Sequence, residues 1–218
     1  MGQTLERVLV VAPHADDEAF GCGGTIAKLV AQGVTVELLV GALGASDKLA
    51  AIRLKELKKA QAILGISKFS VLVPDGDGRL DQIDQIRLVA GIEWAIHESN
   101  ADTVIYPYPS HHQDHRAIEQ ACVAALRPGT HNVQVILMYE YTYPAWGPAS
   151  IPGGRLYEDI EKTMGKKMGA IRAYGSQLRP EPHPVSMWAA EAMAMARGIA
   201  VGLKYAELFY VVQMKDVL

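Results

Sequence analysis

The stretch Arg7-Val8-Leu9-Val10-Val11-Ala12-Pro13-His14-Ala15-Asp16-Asp17-Glu18 carries the strongest signal in the chain. After Arg7 come five aliphatic residues without a polar interruption, the pattern of a strand covered on both faces in a parallel sheet. The run then ends abruptly in one imidazole and three carboxylates, side chains that can hold a divalent cation. In open α/β sheets ligands gather beyond the carboxyl ends of the strands. The stretch therefore indicates both a fold class and the place to look for chemistry.

Working outward, further strands are expected at 34–42, 69–74, 103–107, 134–141 and 207–214, with the first over 7–12. Helical stretches lie between them at 24–32 (opened by the glycines), 46–64, 81–98, 115–126, 155–174 and 186–200, and Gly65 is a natural stop for the second. This alternation predicts a single-domain, Rossmann-like α/β fold over 1–218: a mostly parallel sheet with helices on both faces and right-handed crossovers. At 218 residues, 50% of them hydrophobic, the chain can bury one substantial core. The segment 142–155, with Pro144, Gly147, Pro148, Pro152, Gly153 and Gly154, reads as a loop that could rim a site.

A formal net charge of -3 gives no basic footprint for nucleic acid and no polybasic arm for an anionic membrane. Cys22 and Cys122 are too few for a disulfide framework and too far apart for a zinc knuckle, so they read as packing residues in a reducing compartment. The first residues lack a signal series and no apolar segment reaches membrane-spanning length. A cytoplasmic protein acting on a small molecule is the expectation.

A second constellation, Ser110-His111-His112-Gln113-Asp114-His115, follows Val104-Ile105-Tyr106-Pro107 and so lies just past another buried strand. If the strands over 7–12 and 103–107 are neighbours, His14, Asp17 and one of these histidines converge. Three protein ligands leave an open position, the arrangement of a hydrolytic rather than a structural zinc site. Taken singly, each signal has a plainer reading. Asp16 or Asp17 could cap the following helix, and His112 to His115 alone could be a surface pair. Glu18 could fix a ligand histidine or favour the helix amino terminus.

At these two motifs the sequence resembles the LmbE/PIG-L-like metal-dependent deacetylases, which remove acetyl groups from N-acetylglucosamine-type sugars. Pro13-His14-Ala15-Asp16-Asp17-Glu18 is similar to the family's His-Pro-Asp-Asp-Glu motif, and His112-Gln113-Asp114-His115 to its His-Pro-Asp-His. Arg53-Leu54-Lys55-Glu56, Tyr174-Gly175-Ser176-Gln177 and Tyr205-Ala206-Glu207-Leu208-Phe209 extend the resemblance over most of the chain. Ala15 and Gln113 replace prolines, which relaxes the loop backbone without removing a ligand.

The resemblance implies His14, Asp17 and His115 as metal ligands, Asp16 as general base, His112 as catalytic histidine and Asp114 as the residue orienting it. One divalent metal is implied, zinc first, with iron(II) or cobalt(II) also suited to this ligand set. Such an ion lowers the pKa of water from about 15.7 toward about 7. A protonated His112 would then stabilise the oxyanion, where one donor is worth roughly 3 kcal/mol. Arg53, Tyr143, Trp146 and His183 are candidates for substrate contact; without the resemblance Arg53 reads as a solvated helix residue. Tyr139 reads as core, Gly21-Cys22-Gly23-Gly24 as close helix packing, and Lys162, Lys166 and Lys167 as a wet helix face.

The expected activity is hydrolysis of the acetamide of an N-acetylated amino sugar or its conjugate. The alternatives are an amidase with the same metal chemistry acting on a sugar-amine conjugate, or a non-catalytic sugar or nucleotide binding module. A phosphoesterase would want more carboxylates or a second metal. The Met187, Trp188, Met193 and Met195 cluster fits either a homo-oligomer interface or a core-facing helix.

Overall fold

The computed structural model describes residues 6–143 and 153–215. Strand β1 (Arg7–His14) is buried from Val8 onward and lies inside a seven-stranded sheet. It pairs in parallel with β2 (Thr35–Ala42) on one side and β4 (Thr103–Pro107) on the other. Beyond β2 lies β3 (Lys68–Val71), and beyond β4 come β5 (Val135–Tyr139), β7 (Ala206–Met214) and β6 (Gly154–Asp159), giving the order β3-β2-β1-β4-β5-β7-β6. The first five strands are parallel; β7 runs antiparallel to both β5 and β6. The chain therefore has the expected α/β fold with a mostly parallel sheet.

Among the described residues six helices flank it: α1 (Asp17–Ala31), α2 (Asp47–Leu64), α3 (Gln85–Ser99), α4 (Gln113–Ala125), α5 (Met164–Ala173) and α6 (Met187–Ile199). Helices α1, α2 and α5 pack on one another, as do α3 and α4. Every residue of β4 and β5 is buried, whereas edge strands β3 and β6 are half exposed. That gradient explains why the central strands read as unbroken apolar runs. Fully burying one of their Leu, Ile or Val side chains contributes about 1.5–3 kcal/mol. Gly65 stops α2 at φ 83°, a left-handed conformation that suits glycine, with its N–H on Gln61 O.

Four sequence expectations change. The 155–174 stretch begins as a strand, β6, before α5. Leu156, Ile160, Met164 and Met168 keep a spacing of four that imitates a helix, but the pairing of Gly154–Asp159 with β7 overrides it. Helix α1 starts at Asp17, ahead of the glycines, and is interrupted at Cys22 (φ -142°, ψ 21°). The glycines permit close approach instead: a Cβ on Gly21 would lie 2.2 Å from the Tyr139 ring, and one on Gly24 2.8 Å from Ile160. The 81–98 stretch divides into a 3-10 turn, Leu80–Gln82, and α3, which Asp84 caps by accepting the Ile86 N–H. Lys167, expected in water, is 2% exposed and paired with Glu207 at 2.6 Å. The remaining elements fall within a few residues of expectation. Among the described residues no helix is long and apolar enough to cross a membrane.

Candidate metal and catalytic site

Because β1 and β4 are neighbours, their carboxyl ends bring the two histidine and carboxylate motifs together. His14 closes β1 and Asp17 opens α1, while His112 caps α4 and His115 sits in its first turn. The ligand atoms of His14, Asp17 and His115 all lie within 4.8 Å of one another, and all three side chains are buried. Asp17 Oδ2 accepts the His14 backbone N–H (2.8 Å) and lies 3.4 Å from His14 Nδ1 and 3.3 Å from His115 Nε2. Two buried atoms of this group, Asp17 Oδ1 and His115 Nδ1, have no hydrogen-bond partner among the described residues.

Buried polar atoms normally find partners, so two orphans on three converging ligand-type side chains fit a site completed by a cation. The outer contacts agree. His14 Nε2 is 2.7 Å from Asp114 Oδ2, the carboxylate–histidine pairing that commonly orients a metal-binding imidazole. Asp114 also accepts the backbone N–H groups of Gly78 (2.6 Å) and Leu80 (2.9 Å), which straps the loop after β3 to the site. A second group, His14, Asp77 and Asp114, is also compact enough for an ion. It fits less well, since the Asp114 oxygens are already occupied by these three bonds.

The resemblance gave Asp114 the role of orienting His112. Its carboxylate instead holds His14, and what it offers His112 is its backbone N–H, donated to His112 Nδ1 at 3.2 Å. With Nδ1 accepting, a neutral His112 ring carries its proton on Nε2. Glu18 reaches no histidine; it accepts the Asp16 N–H (3.2 Å) and the Tyr174 hydroxyl (2.6 Å). Asp16 occupies the N-cap position of α1, yet its side chain makes no capping bond.

Charge is crowded here. Burial disfavours ionisation of His14, but its hydrogen bonds to Asp114 and Asp17 raise its pKa to about 10. Burial and the adjacent Asp17 push Asp16 well above the carboxylate range. Asp17 is itself resisted by burial, but His115 and His14 hold it far below that range. Burial raises Glu18 to about 7. Burial, then His115 and His14, lower His112. The adjacent Asp16 and Asp17 carboxyls are thus driven in opposite directions, Asp16 by burial and the charge of Asp17, Asp17 by the two histidines beside it.

The site opens into a cavity of about 330 Å³ that Asp16, His112, Arg53, Asp77, Tyr143 and His183 help to line. Arg53 comes from α2 and bonds Asp77 Oδ2 at 3.0 Å and Gln177 Oε1 at 2.5 Å, so it is neither solvated nor free. Tyr143 meets His183 edge-on with ring centroids 6.3 Å apart. Trp146 lies outside the described residues. Tyr139 is core, as expected, and Tyr141 stacks obliquely on His115 at 4.9 Å.

Known proteins resemble the chain in sequence and fold. Residues 9–126 match the family model for PIG-L, the GlcNAc-PI de-N-acetylases. The chain belongs to this family. Among relatives of this PIG-L-family chain, the Bacillus cereus protein described as probable N-acetyl-alpha-D-glucosaminyl L-malate deacetylase 2 is 33% identical over 195 residues, 79% of this chain and 84% of the relative. The diacetylchitobiose deacetylase of Thermococcus kodakarensis is 29% identical, covering 93% of this chain and 82% of the relative. The crystal structure of a conserved protein from Thermus thermophilus shares the fold with a TM-score of 0.76 at 27% identity, over 99% of this chain and 97% of that one.

Sequence reasoning missed Asp77 and Gln177. Asp77 was within reach of the strand-end rule, since Asp75-Gly76-Asp77-Gly78 follows β3 as the other two motifs follow β1 and β4. Gln177 lies in Tyr174-Gly175-Ser176-Gln177, where the sequence offers only a resemblance to a family pattern. Its bond to Arg53, 124 residues away, has no local signature.

Proposed function

We propose that this PIG-L-family chain is a metal-dependent hydrolase that removes the acetyl group from an N-acetylglucosamine-type amino sugar or its conjugate. The observation that carries the reading is the His14, Asp17 and His115 cluster, with two buried atoms unpartnered among the described residues, beside a cavity that His14 and His115 line together with Asp16 and His112. The names of the relatives supply the substrate class.

His14, Asp17 and His115 would hold one divalent ion, zinc first, with iron(II) or cobalt(II) as alternatives; its chemistry is Lewis acidity and a lowered pKa for water. Asp16 accepts a proton from the attacking water at its carboxylate, which is uncommitted to the helix cap. His112 donates Nε2–H to the acetamide oxygen as negative charge gathers there. A neutral ring suffices for this, which revises the protonated His112 expected from sequence. As the C–N bond breaks, Asp16 delivers its proton to the departing nitrogen, giving acetate and the free amine. Asp114 positions His14. Arg53 and Asp77 present a donor beside an acceptor, a pairing suited to adjacent sugar hydroxyls, and Tyr143 and His183 form an aromatic wall for the ring.

The test is acetate release by zinc-loaded protein across N-acetylglucosamine, its α-linked glycosides, chitobiose and a nucleotide-activated form. Acetate from any member, lost in Asp16→Ala, supports the reading. No acetate from the whole panel, with metal bound, contradicts it.

A further inference from the structure

Asp16 has φ 138° and ψ -27°, one of two positive-φ residues other than glycine among the described residues. Such backbone is costly for a side chain with a Cβ and persists only where the surroundings over-determine it. Two contacts do so here. Glu18 Oε2 accepts the Asp16 N–H at 3.2 Å, and Glu18 Oε1 accepts the Tyr174 hydroxyl at 2.6 Å. Both Glu18 and Tyr174 are wholly buried, and Tyr174 lies just past the end of α5, 156 residues along the chain from Glu18.

We infer that Glu18 and Tyr174 are positioning residues: Tyr174 fixes the Glu18 carboxylate, which clamps the Asp16 amide and thereby aims the Asp16 carboxylate into the cavity. The inference rests on the proposed role of Asp16 as base. Its physical basis is that a buried carboxylate without partners would turn to find them, so Glu18 needs the Tyr174 hydroxyl to stay on the Asp16 N–H. A misaimed base lowers turnover without changing the groups that bind sugar or metal, and a misplacement of about 1 Å can cost about 10²-fold.

The experiment compares wild type, Tyr174→Phe, Glu18→Ala and Glu18→Gln by amide hydrogen exchange at Asp16, by kcat and KM for acetate release, and by metal content. Glu18→Ala is expected to expose the Asp16 amide to exchange and to lower kcat by about 10²-fold, with KM and metal content unchanged. Tyr174→Phe should follow in the same direction with a smaller loss. Glu18→Gln should recover most of the loss, since its amide oxygen can still accept from Asp16 while its NH2 donates to the Tyr174 oxygen. Unchanged exchange at Asp16 in Glu18→Ala would overturn the clamp, as would equal losses of kcat, metal and substrate affinity, which mark a general structural prop. If wild type releases no acetate from any substrate, the deacetylase reading fails, while the exchange measurement still decides the clamp.

Discussion

Helix α1 carries a buried charged cluster on each side of its break at Cys22, and the two differ in one respect. Behind the break, Lys167 Nζ donates to Glu207 Oε1 (2.6 Å) and to the carbonyls of Phe20 (2.5 Å) and Ala19 (3.2 Å). Glu207 also accepts the N–H groups of Gly24 (2.9 Å) and Thr25 (2.8 Å) and the Thr25 hydroxyl (2.6 Å). The backbone groups released by the break thus find partners, and all three ammonium protons are used. Ahead of the break, Asp17 Oδ1 and His115 Nδ1 find none among the described residues. The closed cluster ties the two halves of the helix together; the open one keeps two buried atoms without partners among the described residues. Burial and charge alone do not distinguish a structural ion pair from a reactive site, whereas the accounting of lone pairs does.

Substitutions on the two sides should separate activity from stability. The largest effect is expected for His14→Ala and Asp17→Ala: acetate release falls to background and bound metal is lost, while the urea unfolding midpoint of the metal-free protein falls only modestly, because the crowded like charges relieved at the site offset part of the lost pairing. Elemental analysis beside urea titration checks this. Asp16→Asn should keep its metal and lose about 10²–10⁴-fold in turnover, the usual worth of a general base. Steady-state kinetics on metal-replete protein measures it, and parallel loss of metal would place Asp16 among the ligands.

On the closed side, Lys167→Met leaves Glu207 buried without its counter-charge, which costs about 3–5 kcal/mol of stability. The urea midpoint should drop accordingly, and Lys167→Met combined with Glu207→Gln should recover part of it. A site variant that destabilised the fold as much as Lys167→Met would erase the distinction. The smallest effect is expected at the link between the motifs: Asp114→Asn should weaken metal affinity by about 10–100-fold, the typical cost of losing a partner of a ligand histidine. Chelator competition measures that shift.

The sheet's central strands and the two motifs at their ends were legible because both are local: an apolar run and a cluster of ligand-type side chains need no knowledge of distant chain. What was not legible depends on partners far away in sequence. Residues 154–159 pair with β7, some fifty residues on, although their spacing imitates a helix. Lys167 is buried because Glu207 and the carbonyls released at Cys22 are there to receive it. Asp114 turns to His14, 100 residues away, rather than to its near neighbour His112. Glu18 likewise meets Tyr174. In each case a tertiary partner outweighed the local pattern.

The most direct test of the central claim, that His14, Asp17 and His115 hold a divalent ion on which hydrolysis depends, is acetate release by one preparation followed through chelation and metal return, with bound metal counted at each stage for wild type and Asp17→Ala. One ion per chain is expected in wild type, with activity that disappears with the ion and returns with it, and neither ion nor activity in Asp17→Ala. Full acetate release by metal-stripped protein, or undiminished metal in Asp17→Ala, would contradict it.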